Sequence, residues 1–236
     1  MCPIEEKITT MKNYYIVGAG GFGREIYHIL QARILLDKQL SNIDTKICGF
    51  LDDDFFALSA YKNYPPVLCE IQEYIPKESD LVIVAVGVPT VRRKIVKILR
   101  ERNVSFSGLV HPHSFFYGQP EIGQGVFVGW NVLISCDVTL GNFISLNGNM
   151  TIGHDAVIED YVEVGPGCAV SGFAHIEEGV HIGSGCVIAP GVRVGAWSKV
   201  SANSAVMRDV PPFSYVTGVP GTTLPNFFKH PDGVVA

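Results

Sequence analysis

The chain has 236 residues, a formal net charge of -5 at pH 7, 47% hydrophobic residues and 17% charged residues. This composition excludes a disordered chain and a coiled coil, and without a Lys/Arg block it argues against nucleic acid as the main partner. Apolar runs are too short for membrane insertion, residues 1–7 lack the order of a signal peptide, and the six cysteines show no CxxC spacing. We therefore expect a cytoplasmic protein with free thiols.

The N-terminal half, residues 12–110, alternates strand and helix patterns. A β-rich run at residues 13–17 leads into a glycine-rich segment, and the helical pattern that follows places Ile26, Ile29, Leu30 and Ile34 on one face. A second strand is predicted at residues 46–51. The unbroken apolar run at residues 81–86 is typical of a strand buried on both faces. A basic helix follows from Val91 to Arg102, with Ile95, Ile98 and Leu99 predicted to face inward. The pattern predicts an α/β, Rossmann-like half domain with a parallel sheet.

The glycine-rich segment has two interpretations. Gly18-Ala19-Gly20-Gly21-Phe22-Gly23 fits GxGxxG between a strand and a helix, and aspartates end the next strand. That arrangement is typical of a dinucleotide site with Asp52 or Asp53 on a ribose, and it keeps an NAD(P)-linked oxidoreductase as one alternative. A dinucleotide normally spans two mononucleotide halves, however, and only one precedes residue 111. Arg92 and Arg93 are interpreted either as phosphate contacts or as solvated charges on the helix.

The C-terminal half repeats every six residues. Starting at Ile122, every sixth residue up to Val206 is Ile, Leu or Val, which gives fifteen anchors in a row. A second small or apolar residue stands four positions after each anchor from Val126 to Val192, and glycine often follows the anchor directly, where we expect a turn to need its φ freedom. Neither a strand nor a helix has this period. A hexapeptide β-solenoid does, with three hexads in each triangular coil.

The sequence resembles a known family of sugar O- and N-acyltransferases, the bacillosamine acetyltransferase and sialic acid O-acetyltransferase type. The resemblance rests on the hexads, the glycine-rich entry, the strand end Leu51-Asp52-Asp53-Asp54 and the tail Gly218-Val219-Pro220. It implies a left-handed parallel β-helix and a homotrimer with active sites between chains. The expected domains are 12–110 for a nucleotide sugar and 111–225 for acyl transfer, followed by a tail at 226–236.

The resemblance also implies the catalytic groups. In the family, the histidine at the position of His154 is the general base, and the acidic residue after it, here Asp155, raises its basicity. Because neighbours in a straight strand face opposite sides, this pairing requires a corner. Asn147 matches a polar position that points into the same site, and from the residue alone it could equally be a corner asparagine that stabilises a turn.

The remaining ligand contacts follow from the resemblance in the same way. Acetyl-CoA is expected along the C-terminal coils, and an amide near Gly172 is the candidate oxyanion donor. The expected acetyl-CoA contacts are Glu163, Gly172, Gly183, Ser184 and Ala202. Those to the nucleotide sugar are Gly20, Gly21, Phe22, Asp52, Asp53 and Gly87. Glu163 and Phe22 stand where some members carry histidine. No metal is expected, because His175 and His181 lack further convergent ligands.

The function predicted from these features is N-acetylation of a nucleotide-linked 4-amino-deoxy sugar, UDP-linked, for glycan or surface polysaccharide synthesis. Acyl transfer would be direct, without a covalent acyl-enzyme. O-acetylation of sialic acid or another sugar hydroxyl is the alternative within this class. A sugar-nucleotide sensor without catalysis is a further alternative.

Overall fold

The computed structural model describes residues 12–40 and 45–229. It divides into one unit of Met1–Ala85 with Ile98–Phe106 and another of Val86–Lys97 with Ser107–Ala236. The prediction about a signal peptide at residues 1–7, and the last seven residues of the predicted tail, lie outside the described residues. Within the described ranges, no helix has the length and apolar character needed to cross a membrane.

The first unit is built on a parallel sheet. Its strands are β1 (Lys12–Val17), β2 (Thr45–Leu51), β3 (Val67–Cys69) and β4 (Asp80–Val84), in the order β3-β2-β1-β4. Helix α1 (Gly21–Leu40) follows β1, and a 3-10 helix (Ile71–Glu73) follows β3. Helix α2 (Pro89–Glu101) follows β4, with its residues 89–97 in the second unit and 98–101 in the first. All strand pairs are parallel, as the sequence predicted. Strand β3 and the 3-10 helix were not predicted.

The core of this sheet is apolar, with Ile16, Val17, Phe50 and Leu51 fully buried. The predicted inner face of α1 is confirmed, since Ile26 and Leu30 are buried and the other two members are half-buried. The predicted inner face of α2 is partly wrong. Leu99 is buried there together with Val96, but Ile98 is exposed. The buried residues of α2 include Arg92, Val96 and Leu99, which share one face at helical spacing, and Ile98 lies off that face.

The second unit contains a parallel β-solenoid with three sides, and each side is a ladder of very short strands. Side 1 comprises β5 (Leu109–Val110), β8 (Phe127–Val128), β11 (Ser145–Leu146), β14 (Glu163–Val164), β17 (His181–Ile182), β20 (Lys199–Val200), β22 (Tyr215–Thr217) and the antiparallel β23 (Thr222–Leu224). Side 2 comprises β6 (Phe115–Phe116), β9 (Leu133–Ile134), β12 (Thr151–Ile152), β15 (Ala169–Val170), β18 (Val187–Ile188) and β21 (Ala205–Val206). Side 3 comprises β7 (Glu121–Ile122), β10 (Thr139–Leu140), β13 (Val157–Ile158), β16 (His175–Ile176) and β19 (Arg193–Val194). The predicted fold class, an α/β half domain plus a left-handed parallel β-helix, is confirmed.

Each predicted anchor is the second residue of a strand and points into the solenoid axis. Fourteen of the fifteen anchors are at most 2% exposed, whereas Ile122, in the first strand of side 3, is 42% exposed. The second set of apolar positions is buried as well and includes Cys168 and Cys186, which lie in neighbouring coils as buried, free thiols. The repeat begins earlier than Ile122, since β5 and β6 already form its first two sides.

The prediction that the glycines after the anchors are needed for their φ freedom is wrong. Gly153, for example, has no positive φ, but a Cβ there would collide with the backbone of Ser171 and Gly172 in the next coil. The left-handed backbone instead occurs three residues after the anchor, as at Asn149 and Asp155, whose φ values are 65° and 58°. Close approach of stacked coils therefore selects glycine at one position, and the corner itself lies two residues further on.

Truncating a central anchor should destabilise the protein far more than truncating the first one. We expect Ile158→Ala, in a fully buried position, to cost about 2–5 kcal/mol because it opens a cavity in the axis. Ile122→Ala occupies the same repeat position in an exposed strand and serves as the matched control, with an expected cost below about 1 kcal/mol. Urea unfolding followed by circular dichroism measures both. Equal losses would contradict the assignment of the anchors to a common packed axis.

Candidate active site

His154 and Asp155 lie at the corner where side 2 turns into side 3, directly after β12. The Nδ1 atom of His154 lies 2.8 Å from Oδ2 of Asp155. The positive φ of Asp155 bends the backbone so that two adjacent side chains meet, as the predicted pairing requires. Both side chains remain about half exposed, at 53% and 42%. A carboxylate that accepts from Nδ1–H leaves Nε2 without a proton and open to a substrate, which is the arrangement of a general base.

Two residues of the next coil surround the imidazole. Gly172 lies directly against it, because a Cβ at this position would stand 2.8 Å from Nε2 of His154. Phe173 contacts the ring edge-on, with ring centroids 5.1 Å apart, and is itself 61% exposed. The peptide N–H of Gly172 is not used in any backbone hydrogen bond among the described residues. Because Gly172 has no side chain, space remains beside Nε2 of His154, and the peptide N–H of Gly172 is available to a ligand.

Asn147 lies at a different corner, where side 1 turns into side 2. Its Nδ2 donates to Oε1 of Glu163 at 2.7 Å and to the carbonyl of Val164 at 2.9 Å. Oε2 of Glu163 accepts from Arg92 at 2.7 Å, and the exposed fractions of Glu163 and Arg92 are 7% and 2%. Burial raises the pKa of Glu163, and the neighbouring Arg92 opposes the rise by favouring the ionised form. The predicted contact of Glu163 with acetyl-CoA stays a prediction, and both carboxylate oxygens already have partners in the protein.

The predicted acetyl-CoA contacts fall on two corners. Gly183, Ser184 and Ala202 lie on the corner that carries Asn147, one and two coils beyond Glu163, whereas Gly172 lies on the corner of His154. A Cβ at Gly183 would lie 2.6 Å from the amide nitrogen of Ala202, so this glycine is needed for stacking whatever it binds. Ser184 and Ala202 are exposed.

In the first unit, the glycine-rich turn and the end of β2 are joined by Asp52. Its Oδ2 accepts from the N–H of Ala19 at 2.7 Å, and Oδ1 of Asp53 accepts from the N–H of Ile71 at 3.0 Å. Gly23 is required where α1 begins, because a Cβ would collide with the carbonyl of Gly18. At Gly20 a Cβ would meet open space, which leaves the turn accessible to a ligand. These residues, with Gly21 and half-buried Phe22 at the start of α1, stay predicted substrate contacts.

The other predicted positions are placed as follows. Gly87 belongs to the second unit, and a Cβ added there would lie 4.0 Å from Oε1 of Glu163. His175 is held between Glu159 at 2.6 Å and Arg193 at 3.0 Å. Burial, together with nearby Lys199 and Arg92, lowers the pKa of His181. Within the described part of the chain, no three His, Cys, Asp or Glu side chains converge on a metal position.

Comparison with known proteins now places the two units. Residues 13–99 match the family described as PglD N-terminal domain, and residues 173–208 match the bacterial transferase hexapeptide family of six repeats. A match to the PglD N-terminal domain is thus followed along the chain by a match to transferase hexapeptide repeats. The predicted resemblance to this type of sugar acyltransferase is therefore confirmed.

One curated relative and one solved structure are similar to this chain. UDP-N-acetylbacillosamine N-acetyltransferase of Bacillus subtilis (strain 168) is 32% identical over 122 residues. That alignment covers 50% of this chain and 51% of the relative, so only about half of the relative's length is matched. WeeI from Acinetobacter baumannii AYE superposes with a TM-score of 0.77 and 27% identity, covering 91% of this chain and 100% of WeeI.

One further solved structure shares the fold. A mutant of perosamine N-acetyltransferase from Caulobacter crescentus, in complex with CoA and GDP-perosamine, superposes with a TM-score of 0.79 and 24% identity. The superposition covers 90% of this chain and 96% of that one. The two chains therefore share their fold over most of their length.

Sequence reasoning missed two residues of the site. Arg92 was assigned either to a phosphate or to solvent, but it is buried and paired with Glu163, within one structural unit. Arg93 is the partly exposed one, 3.5 Å from Glu178 and over the ring of Trp197. Phe173 was not singled out. Its position one coil beyond Asp155 in the repeat was the available signal, since residues 18 apart stack.

Proposed function

We propose that this chain is an acetyl-CoA-dependent N-acetyltransferase that acts on the 4-amino group of a UDP-linked deoxy sugar. The observation that carries the proposal is the His154–Asp155 pair at an exposed corner of a hexapeptide solenoid. The name of the Bacillus subtilis relative supports an amino group on a UDP-linked sugar as the acceptor. CoA and GDP-perosamine in the structure from Caulobacter crescentus support a thioester donor and a nucleotide sugar.

The proposed reaction is direct transfer. The amine nitrogen attacks the thioester carbonyl carbon, so that a C–N bond forms, and Nε2 of His154 accepts a proton from the amine. Asp155, bonded to Nδ1, orients the ring and stabilises the imidazolium. The N–H of Gly172 is the proposed donor to the carbonyl oxygen while it carries negative charge. Collapse of the intermediate breaks the C–S bond, and the sulfur leaves as CoA thiol with the proton from His154.

The ligands are proposed to bind where the predicted contacts lie. The open turn at Gly20 and the start of α1 favour a phosphate group, because helix N-termini present unpaired N–H groups. Asp52 and Asp53 directly follow β2, at the carboxyl end of a parallel strand, where α/β sheets bind ligands. Gly87, in the second unit, is a separate proposed contact. Acetyl-CoA is proposed to run along the C-terminal coils past Gly172, Gly183, Ser184 and Ala202.

We propose a homotrimer as well, as the family resemblance implies. Asn147 and His154 follow strands of different sides, and the hydrogen bonds of the two residues share no partner. Side 2 lies between these two corners, and the outward position of each of its strands is uncharged: Phe115, Leu133, Thr151, Ala169, Val187 and Ala205. An uncharged face between two halves of a site fits a second copy of the chain, which would bring one corner against the other.

Mass spectrometry of acetyl transfer tests this function. The purified chain is mixed with acetyl-CoA and with a panel of UDP-, dTDP- and GDP-linked 4-amino sugars plus sialic acid. We expect a gain of one acetyl group on a UDP-linked 4-amino sugar. Acetylated sialic acid alone would instead establish O-acetylation, and no transfer to any acceptor would overturn the enzymatic proposal.

A further inference from the structure

A buried ion pair lies behind Asn147, on the outward face of side 1. Arg92, in the first turns of α2, donates from Nη1 to Oε2 of Glu163 at 2.7 Å, and both residues are more than nine-tenths buried. Buried pairs of this kind add little net stability, because desolvation offsets their attraction. The hydrogen bonds of this pair hold neighbouring groups in place.

Arg92 is held rigidly and therefore fixes Glu163. Nη1 donates to the carbonyl of Val86 at 2.8 Å as well, and Nη2 donates to the carbonyls of Tyr161 and Val162 at 2.9 and 3.1 Å. One guanidinium thus joins the segment that precedes Gly87 to the coil that carries Glu163. With Oε2 committed to Arg92, the other carboxylate oxygen of Glu163 faces Asn147.

The carboxylate decides which way the amide of Asn147 is turned. Nδ2 donates to Oε1 of Glu163 and to the carbonyl of Val164, and both of these groups are acceptors. The flipped amide would place Oδ1 against two acceptors, so hydrogen-bond chemistry selects the observed orientation. Both hydrogens of the amide are consumed in this way. What Asn147 offers to a ligand is the acceptor Oδ1.

We propose that Arg92 and Glu163 are positioning residues that hold Oδ1 of Asn147 toward the acceptor substrate, so that the site selects an amine over a hydroxyl. This inference rests on the proposed function. An attacking amine has two hydrogens, one for Nε2 of His154 and one to donate to Oδ1 of Asn147 from the adjacent copy. A hydroxyl has a single hydrogen, which the base must take, and so it cannot satisfy both groups.

Steady-state kinetics of three variants test the proposal. Glu163→Gln keeps the size of the side chain. When the oxygen of the introduced amide accepts from Arg92, the N–H₂ group of that amide faces Asn147. A donor in this position reverses the preferred orientation of the Asn147 amide. We expect Glu163→Gln to lower kcat with the amino sugar by about 10-fold or more, while KM for acetyl-CoA changes by less than about twofold. In an Asn147→Ala background, the same substitution should add less than about twofold, because its effect passes through Asn147.

Two results would overturn the inference while the enzyme itself remains active. Additive losses in the double variant would mean that Glu163 does not act through Asn147. A raised KM for acetyl-CoA with unchanged kcat would mean that Glu163 contacts the acyl carrier directly. Wild-type protein that acetylates no acceptor would instead overturn the proposed function first, and the selection of an amine with it.

Thermal denaturation of the same variants separates positioning from folding. In the double variant, the loss of Tm is compared with the sum of the losses in Glu163→Gln and Asn147→Ala. If the losses of Tm are not additive while those of kcat are, the hydrogen bond is merely structural and the proposal is refuted. If Glu163→Gln alone does not fold, because Arg92 is left as an unpaired buried charge, the neutral pair Arg92→Gln with Glu163→Gln replaces it. The ratio of amino to hydroxyl sugar acetylation should fall in either variant.

Discussion

Replacing His154 with alanine should remove acetyl transfer almost completely. Loss of a general base lowers kcat by about 10²–10⁴-fold, and His154→Ala removes the imidazole proposed to take the proton of the attacking amine. KM for both substrates should change little, because the base interacts with the reacting nitrogen rather than with the bulk of either ligand. Mass spectrometry of the acetylated sugar measures the rate, and it avoids thiol dyes that would react with the cysteines of the protein.

Two control variants make this result specific. His175→Ala removes a histidine of the same solenoid that also bonds a carboxylate, Glu159, but lies outside the proposed site, and it should retain wild-type kcat. Asp155→Asn keeps the size of the side chain but removes the charge that stabilises the imidazolium, and its kcat should fall between the other two. Full activity in His154→Ala would refute the proposed role of His154, whatever the substrate.

The solenoid could be predicted because its signal is local and redundant. Each anchor fills the axis independently, so the same preference for an apolar residue recurs at fourteen buried positions with a fixed spacing. The pairing of His154 with Asp155 came from the resemblance to the acyltransferase family, and the positive φ of Asp155 supplies the corner that it requires. The reason for the glycines was not accessible, because Gly153 is constrained by the backbone of a coil 18 residues away and not by its own φ.

The parts that sequence reasoning missed depend on contacts between distant segments. Arg92 lies in a helix whose exposed charges resemble a solvated face, and its partner Glu163 is 71 residues away. Strand β3 has only three residues and no period to detect. The direction in which the amide of Asn147 points is set by two acceptors in the next coil, Glu163 and Val164, which lie 16 and 17 residues away in the sequence. In this chain, the scaffold is encoded locally and the fine geometry of the site is encoded by long-range pairs.

Mixing two variants that are impaired at different residues should restore activity if the site is shared between copies. His154→Ala and Asn147→Ala, denatured together in equal amounts and refolded, form mixed trimers. When each site takes His154 from one chain and Asn147 from the next, about a quarter of the sites contain both wild-type residues, because each residue is intact in half of the chains. We therefore expect about a quarter of the activity of wild-type protein refolded in the same way.

The separation of the two corners makes this test decisive. If both residues served a site within one chain, every site in the mixture would lack one of them, and activity would stay at the level of the separate variants. Each variant refolded alone provides that baseline. A control mixture of His154→Ala with Asp155→Asn should show no restoration beyond the average of the two, because both residues lie at the same corner of the same chain. Restored activity in the first mixture but not in the second would place the acetyl transfer site across two copies of side 2.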